Sequence, residues 1–110
     1  MVYAATSLAL AALEVLVHLP PGMRRAGGLP VLMTVALDFP DAEVAESAPG
    51  PDDRMTGDAW AAAGTSLALR VPSRVIAHDA NLLINPRHPR IGLIGVAIIE
   101  RFEFDLRLGQ

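Results

Sequence analysis

The chain has no cysteine. That removes disulfides, thiolate catalysis and cysteine-ligated metals, and it fits a cytoplasmic protein. Aromatic residues are scarce at 5%, with one tryptophan and one tyrosine, so any core must be aliphatic. There is no excess of positive charge: 9 Lys and Arg stand against 12 Asp and Glu, giving a net charge of −3. Holding nucleic acid by its phosphates needs a basic face, and the short cluster Met23-Arg24-Arg25 does not supply one. Nor is there an uninterrupted membrane-length apolar run. Residues 2–19 come near the minimum for a span, but Glu14 and His18 break the stretch, and a secretion signal would want a basic segment where Met1 and Val2 stand, so neither a span nor a signal is expected. Zinc-protease spacing and phosphate-binding glycine loops are missing too. The three histidines lack a neighbouring carboxylate cluster, so no metal is expected.

What is there is a chain of 110 residues, 52% of them apolar, enough for one domain with a real core. Residues 2–5 read as a short strand. Thr6 or Ser7 can cap a helix, which runs to about Leu19 and is stopped by Pro20-Pro21. Its apolar residues go nearly all round, as in a helix buried on most sides. Its polar interior positions, Glu14 and His18, are four apart and share a face. Residues 22–30 read as a loop and 31–39 as a strand rich in branched side chains. The acidic stretch 40–56, with Pro49-Gly50-Pro51, reads as a surface loop holding a short helical turn. A short helix over 57–63 ends at Gly64. Strands are expected at 66–71 and briefly at 75–76, a turn-rich segment at 81–89, and two closing strands at 91–99 and 102–104. Strand, helix, strand, short helix and then several strands make an α+β fold with a mostly antiparallel sheet and a buried helix.

Several residues could carry chemistry. Glu14, a lone acid in the apolar Leu13-Glu14-Val15-Leu16 setting, has two readings. It lies on a solvent-facing stripe with Ser7 and His18, or it is a carboxylate held in an apolar cleft to stabilise positive charge on a reacting sugar. His18 caps the helix C-terminus, titrates or binds a metal, and the helix dipole favours the cap. Ser73 follows Arg70-Val71-Pro72 at a strand end, as a turn serine or as a hydroxyl that bonds substrate. No histidine nearby activates it, so a hydrolase triad is not supported. Trp60 belongs to the core, its indole N–H seeking a buried acceptor. Tyr3 could stack on a planar ring or simply pack. Asn81 and Asn85 could hold turns or offer amides to a ligand.

Taken in order, Val2-Tyr3-Ala4-Ala5, Leu13-Glu14-Val15-Leu16, Gly57-Asp58-Ala59-Trp60, Arg70-Val71-Pro72-Ser73 and Asn81-Leu82-Leu83-Ile84-Asn85-Pro86 resemble the RES-domain family over nearly the whole chain. These are the toxins of RES–helix-turn-helix toxin–antitoxin pairs. The resemblance implies a relative of the ADP-ribosyltransferase toxin fold. It implies consumption of NAD, by phosphorolysis or hydrolysis of the nicotinamide–ribose bond or by transfer of ADP-ribose to a protein, with phosphate a possible co-substrate. It also implies a helix-turn-helix (Xre-type) antitoxin covering the active site. Glu14 matches the family glutamate and Ser73 the family serine, while Tyr3 and Asn85 match positions near the substrate. By the same resemblance Glu14 stabilises the ribosyl cation, Ser73 bonds a ribose or phosphate oxygen, and Tyr3 packs against the nicotinamide end.

In two places the sequence departs from the family. An arginine-bearing segment is expected before the strand of Tyr3, and no residue here matches that arginine. The domain is therefore expected over 1–110 in an N-terminally truncated form. A glycine-rich basic loop at 22–28 also replaces the usual run between helix and strand. Three functions stay open: an NAD-consuming toxin, a catalytically inactive RES remnant that only binds the antitoxin, and a small interaction module without an NAD site.

Overall fold

The chain turns out of its first strand, β1 (Val2–Ala5), because Thr6 bonds back to the sheet: its amide and its Oγ1 donate to the Ala80 carbonyl at 3.3 and 3.0 Å. Ser7 then sits in an extended conformation as the N-cap of α1 (Leu8–His18), its Oγ accepting from the Leu10 amide at 3.1 Å. That bond satisfies one of the free donors of the first helical turn. Ser7→Ala should therefore lower the unfolding free energy by about 1 kcal/mol in urea titration. The helix ends as Pro20 requires, and His18 donates from Nδ1 to the Glu14 carbonyl at 2.7 Å, the capping role open to it. Leu10 and Leu16 are buried, whereas Leu8 and Val17 keep about half their surface.

The computed structural model describes residues 1–25, 28–47 and 53–109. The expected loop at 22–30 begins instead with a short helix, α2 (Pro21–Arg25). Pro21 stands at its first position, where its missing N–H costs nothing. The rest of that loop at 26–27, and Pro49-Gly50-Pro51 in the acidic stretch, lie outside the described residues. Then come β2 (Val31–Asp38), a 3-10 turn at Asp41–Glu43, β3 (Val44–Glu46), α3 (Asp53–Ala63), β4 (Ala68–Pro72) and β5 (Ala80–Ile84). A second 3-10 turn (Ile91–Leu93), β6 (Gly95–Glu103) and a last turn (Leu106–Gly109) complete the chain. Gly64, at φ 63°, closes α3 by donating to the Trp60 carbonyl at 3.1 Å. Few side chains tolerate that left-handed position.

Four strands form a sheet in the order β1-β5-β4-β3, antiparallel except for the parallel β3–β4 pair. β2 and β6 pair antiparallel as a separate ribbon whose register shifts between Ala36 and Leu37. The architecture is α+β.

Pairing puts Tyr3, Leu83, Leu69 and Ala45 in one row across the sheet, with Ala5, Asn81 and Val71 in the next row on the same face. α3 covers this face. Trp60 packs with Leu69, Val71 and Leu83, flanked by Ala45 and Ala61. Its indole N–H donates to Ser66 Oγ at 2.7 Å, and that hydroxyl in turn donates to the Ala68 carbonyl at 3.0 Å. The helix comes so close that a Cβ at Gly57 would stand 3.1 Å from Leu83 Cδ1. Across the opposite face lies a cleft of about 1210 Å³, walled by Val2, Ala4 and Leu82 on one side and by Leu32, Ala36 and Ile98 of the ribbon on the other. Met33, Val35 and Ile99 of the ribbon stay exposed.

Several expected boundaries shift: α3 begins at Asp53 rather than Gly57, and β3 lies within the stretch expected as a surface loop, where it pairs with β4. The segment at 81–89 is turn-rich only in its second half, because β5 lies between β1 and β4 and satisfies its backbone on both sides. Val75 and Ile76 form no strand, for their amides bond to Ser73 Oγ in a turn. The two closing strands are one, β6, since β2 offers a continuous partner from Val31 to Asp38. Arg90 ties the two long connections together through a 2.8 Å ion pair with Glu43. Near the C-terminus, a hydrogen bond from the Arg107 side chain holds the Asp105 carboxyl below the usual carboxylate range, and the pair is solvent-exposed. Among the described residues no helix is long and apolar enough to cross a membrane.

Candidate functional site

Three of the polar residues singled out in the sequence, Glu14, Ser73 and Asn81, meet where β1 and β4 end and β5 begins. There Asn81 is paired on one side with Ala5 and on the other with Val71. α1 passes this end of the sheet and presents Glu14 to it. Asn81 Nδ2 donates to Glu14 Oε1 at 3.0 Å, and Ser73 Oγ donates to the same oxygen at 3.4 Å. Glu14 is half-buried and anchored to groups 59 and 67 residues further along the chain, not free on a solvent-facing stripe.

Ser73 is 8% exposed, and its local structure limits what it can do. Its oxygen accepts the amides of Val75 and Ile76 at 3.1 and 3.2 Å, and its own amide donates to the Asp79 carbonyl at 2.9 Å. A hydroxyl has two lone pairs and one proton. Both lone pairs are occupied by the turn, leaving the proton, which is directed at Glu14. The geometry is that of the turn serine: the turn fixes the oxygen, and the hydroxyl proton goes to Glu14.

Tyr3 shares a face with Asn81, one step along the β1–β5 pair. Such diagonal neighbours have Cα atoms about 7–8 Å apart. At 70% exposure its ring is open to a planar ligand. Asn85 is not brought to this group. It lies past the far end of β5, roughly 13 Å from Asn81 at the rise of an extended strand. Its Nδ2 donates to the Ala61 carbonyl at 3.4 Å and its Oδ1 accepts from the Arg87 amide at 3.1 Å, so its amide holds the turn after β5. His88 is buried in that same turn, its Nδ1 accepting the Arg90 amide at 3.0 Å. Among the described residues, no three of His, Asp and Glu gather as a metal-binding set.

Sequence reasoning named Asn81 without linking it to Glu14. The signal was its place as a polar residue on the inward face of a strand, which shows only once β5 is known to be a strand. Chemically, the arrangement is a half-buried carboxylate steadied by two neutral donors, with no cation bonded to it among the described residues. Such a group keeps its negative charge available for a cationic centre in a ligand.

A family model described as the RES domain matches residues 1–106. The chain is 35% identical to the Prs ADP-ribosylating toxin of a Sphingobium species, over 98% of this chain and 74% of that protein. It is 31% identical to Toxin Res of Yersinia enterocolitica, over 79% of this chain and 62% of that protein.

Proposed function

Because the chain belongs to the RES-domain family, and both of these relatives are toxins, we propose that it is the toxin of a toxin–antitoxin pair and acts on NAD. In the proposed reaction the bond between ribose C1′ and the nicotinamide nitrogen breaks. The electron pair leaves with nicotinamide and C1′ becomes cation-like. A nucleophile then bonds to C1′ and loses its proton, and ADP-ribose is transferred to it. The nucleophile is phosphate, water or a protein side chain; the likeness to an ADP-ribosylating toxin of Sphingobium favours a protein acceptor.

The observation that carries this reading is the Glu14 carboxylate, half-buried and without a bonded cation among the described residues, held in place by Asn81 and Ser73. Stabilising a sugar cation is what carboxylates do in glycoside cleavage. In this proposal Glu14 faces C1′, and the exposed Tyr3 ring packs on the nicotinamide. The partner is a helix-turn-helix (Xre-type) antitoxin that covers this end of the sheet.

The test is release of nicotinamide from NAD by the purified chain, in buffer alone, with phosphate, and with a protein extract. We expect release in at least one arm. Phosphate dependence would identify a phosphorylase, and label from NAD on extract proteins would identify a transferase. A folded chain that releases nothing in any arm but still binds the antitoxin would overturn the enzymatic reading in favour of an inactive remnant.

A further inference from the structure

We propose that Asn81 is a positioning residue that, with Ser73, clamps Glu14 Oε1 and leaves Oε2 as the oxygen that meets the substrate. This rests on the reading of Glu14 as the carboxylate that faces the ribose. A glutamate on a half-buried helix has three side-chain torsions to fix before its carboxylate points anywhere in particular. Here both donors end on the same oxygen, Asn81 Nδ2 at 3.0 Å and Ser73 Oγ at 3.4 Å. Among the described residues no hydrogen bond falls on Oε2. A carboxylate only accepts, so the Asn81 amide must turn its nitrogen toward Glu14.

The two donors differ in stiffness. Asn81 makes the shorter bond and stands on the strand that is hydrogen-bonded on both sides, to β1 and to β4. Ser73 sits in a turn and already accepts two amides. Asn81 is therefore the firmer anchor. The residue type matters too. Arginine or lysine in its place would also hold the carboxylate, but would neutralise the charge that a cation-like transition state needs. A neutral amide orients without neutralising. It acts through Glu14 and touches no reacting atom.

The experiment is a double-mutant cycle on nicotinamide release from NAD with Asn81→Ala, Glu14→Ala and the double variant. A hydrogen bond to a charged group is usually strong enough that its loss should lower kcat about 10- to 100-fold. The KM for NAD should change by less than about threefold, because uniform binding is not what was removed. In the Glu14→Ala background, Asn81→Ala should change the rate by less than about twofold. Equal losses in both backgrounds, or a loss confined to KM, would overturn the proposal.

A second readout needs no turnover. The Asn81 side-chain NH2 resonances of the 15N-labelled chain should shift in the near-isosteric Glu14→Gln variant. Unmoved resonances would overturn the clamp even in a fully active enzyme. If the chain releases no nicotinamide yet the resonances move, the clamp stands and the NAD reading fails.

Discussion

Glu14→Ala should lower nicotinamide release from NAD by about 10²- to 10³-fold, the usual effect of removing one preorganised electrostatic group from a transition state. The loss should fall on kcat, since the carboxylate gains most of its interaction only as C1′ becomes positive. Glu14→Gln should be nearly as damaging. It keeps the shape of the side chain but removes the charge. Circular dichroism should show both variants folded, because the core of Trp60, Leu69, Val71 and Leu83 does not include Glu14. Full NAD turnover by Glu14→Ala would place the chemistry elsewhere.

Trp60→Ala should cost about 3–5 kcal/mol of stability, the range for truncating a large buried aromatic. Small domains are stable by only about 5–15 kcal/mol, so the variant should be partly unfolded at room temperature or melt well below the parent. Two losses combine. The side chain fills the space between α3 and the sheet, over Leu69, Val71 and Leu83. Its N–H also completes the Ser66 hydroxyl, which in turn closes onto the Ala68 carbonyl at the start of β4. Trp60→Phe, which keeps a ring but drops the N–H, should fall between parent and alanine variant. Urea unfolding followed by far-ultraviolet circular dichroism suits both variants, since each removes the only tryptophan. An unchanged midpoint for Trp60→Ala would mean the packing under α3 contributes little.

Local signals made some of this legible. Ser7, Pro20 and the apolar run between them define α1, and Gly64 marks the end of α3, because caps and stops act on immediate neighbours. The order of motifs carried the family, which the match over residues 1–106 bears out. What stayed hidden depends on contacts between distant residues. Asn81-Leu82-Leu83-Ile84-Asn85, bounded by asparagines and a proline, reads as turn until its neighbours β1 and β4 are in place. Missing β5 also obscured the tie between Asn81 and Glu14 and the distance of Asn85 from both. Val75 and Ile76 look like a strand by composition, yet one hydroxyl, Ser73 Oγ, bends them into a turn. Glu14 was ambiguous for the same reason: a helix sequence does not say which face meets a sheet end.

The long sequence separation between Glu14 and its two supports has a consequence for the order of events on the ribosome. Ser73 and Asn81 lie 59 and 67 residues beyond it. β1, which leads into α1, is likewise unpaired until β5 has been synthesised. β2 waits longer still, for β6, with Thr34 Oγ1 bonding to the Glu100 carbonyl 66 residues away. Contacts so far apart form slowly and late. A nascent chain cut off before Asn81 has its acid but not the asparagine that anchors it, so the site can assemble only once β5 has left the ribosome.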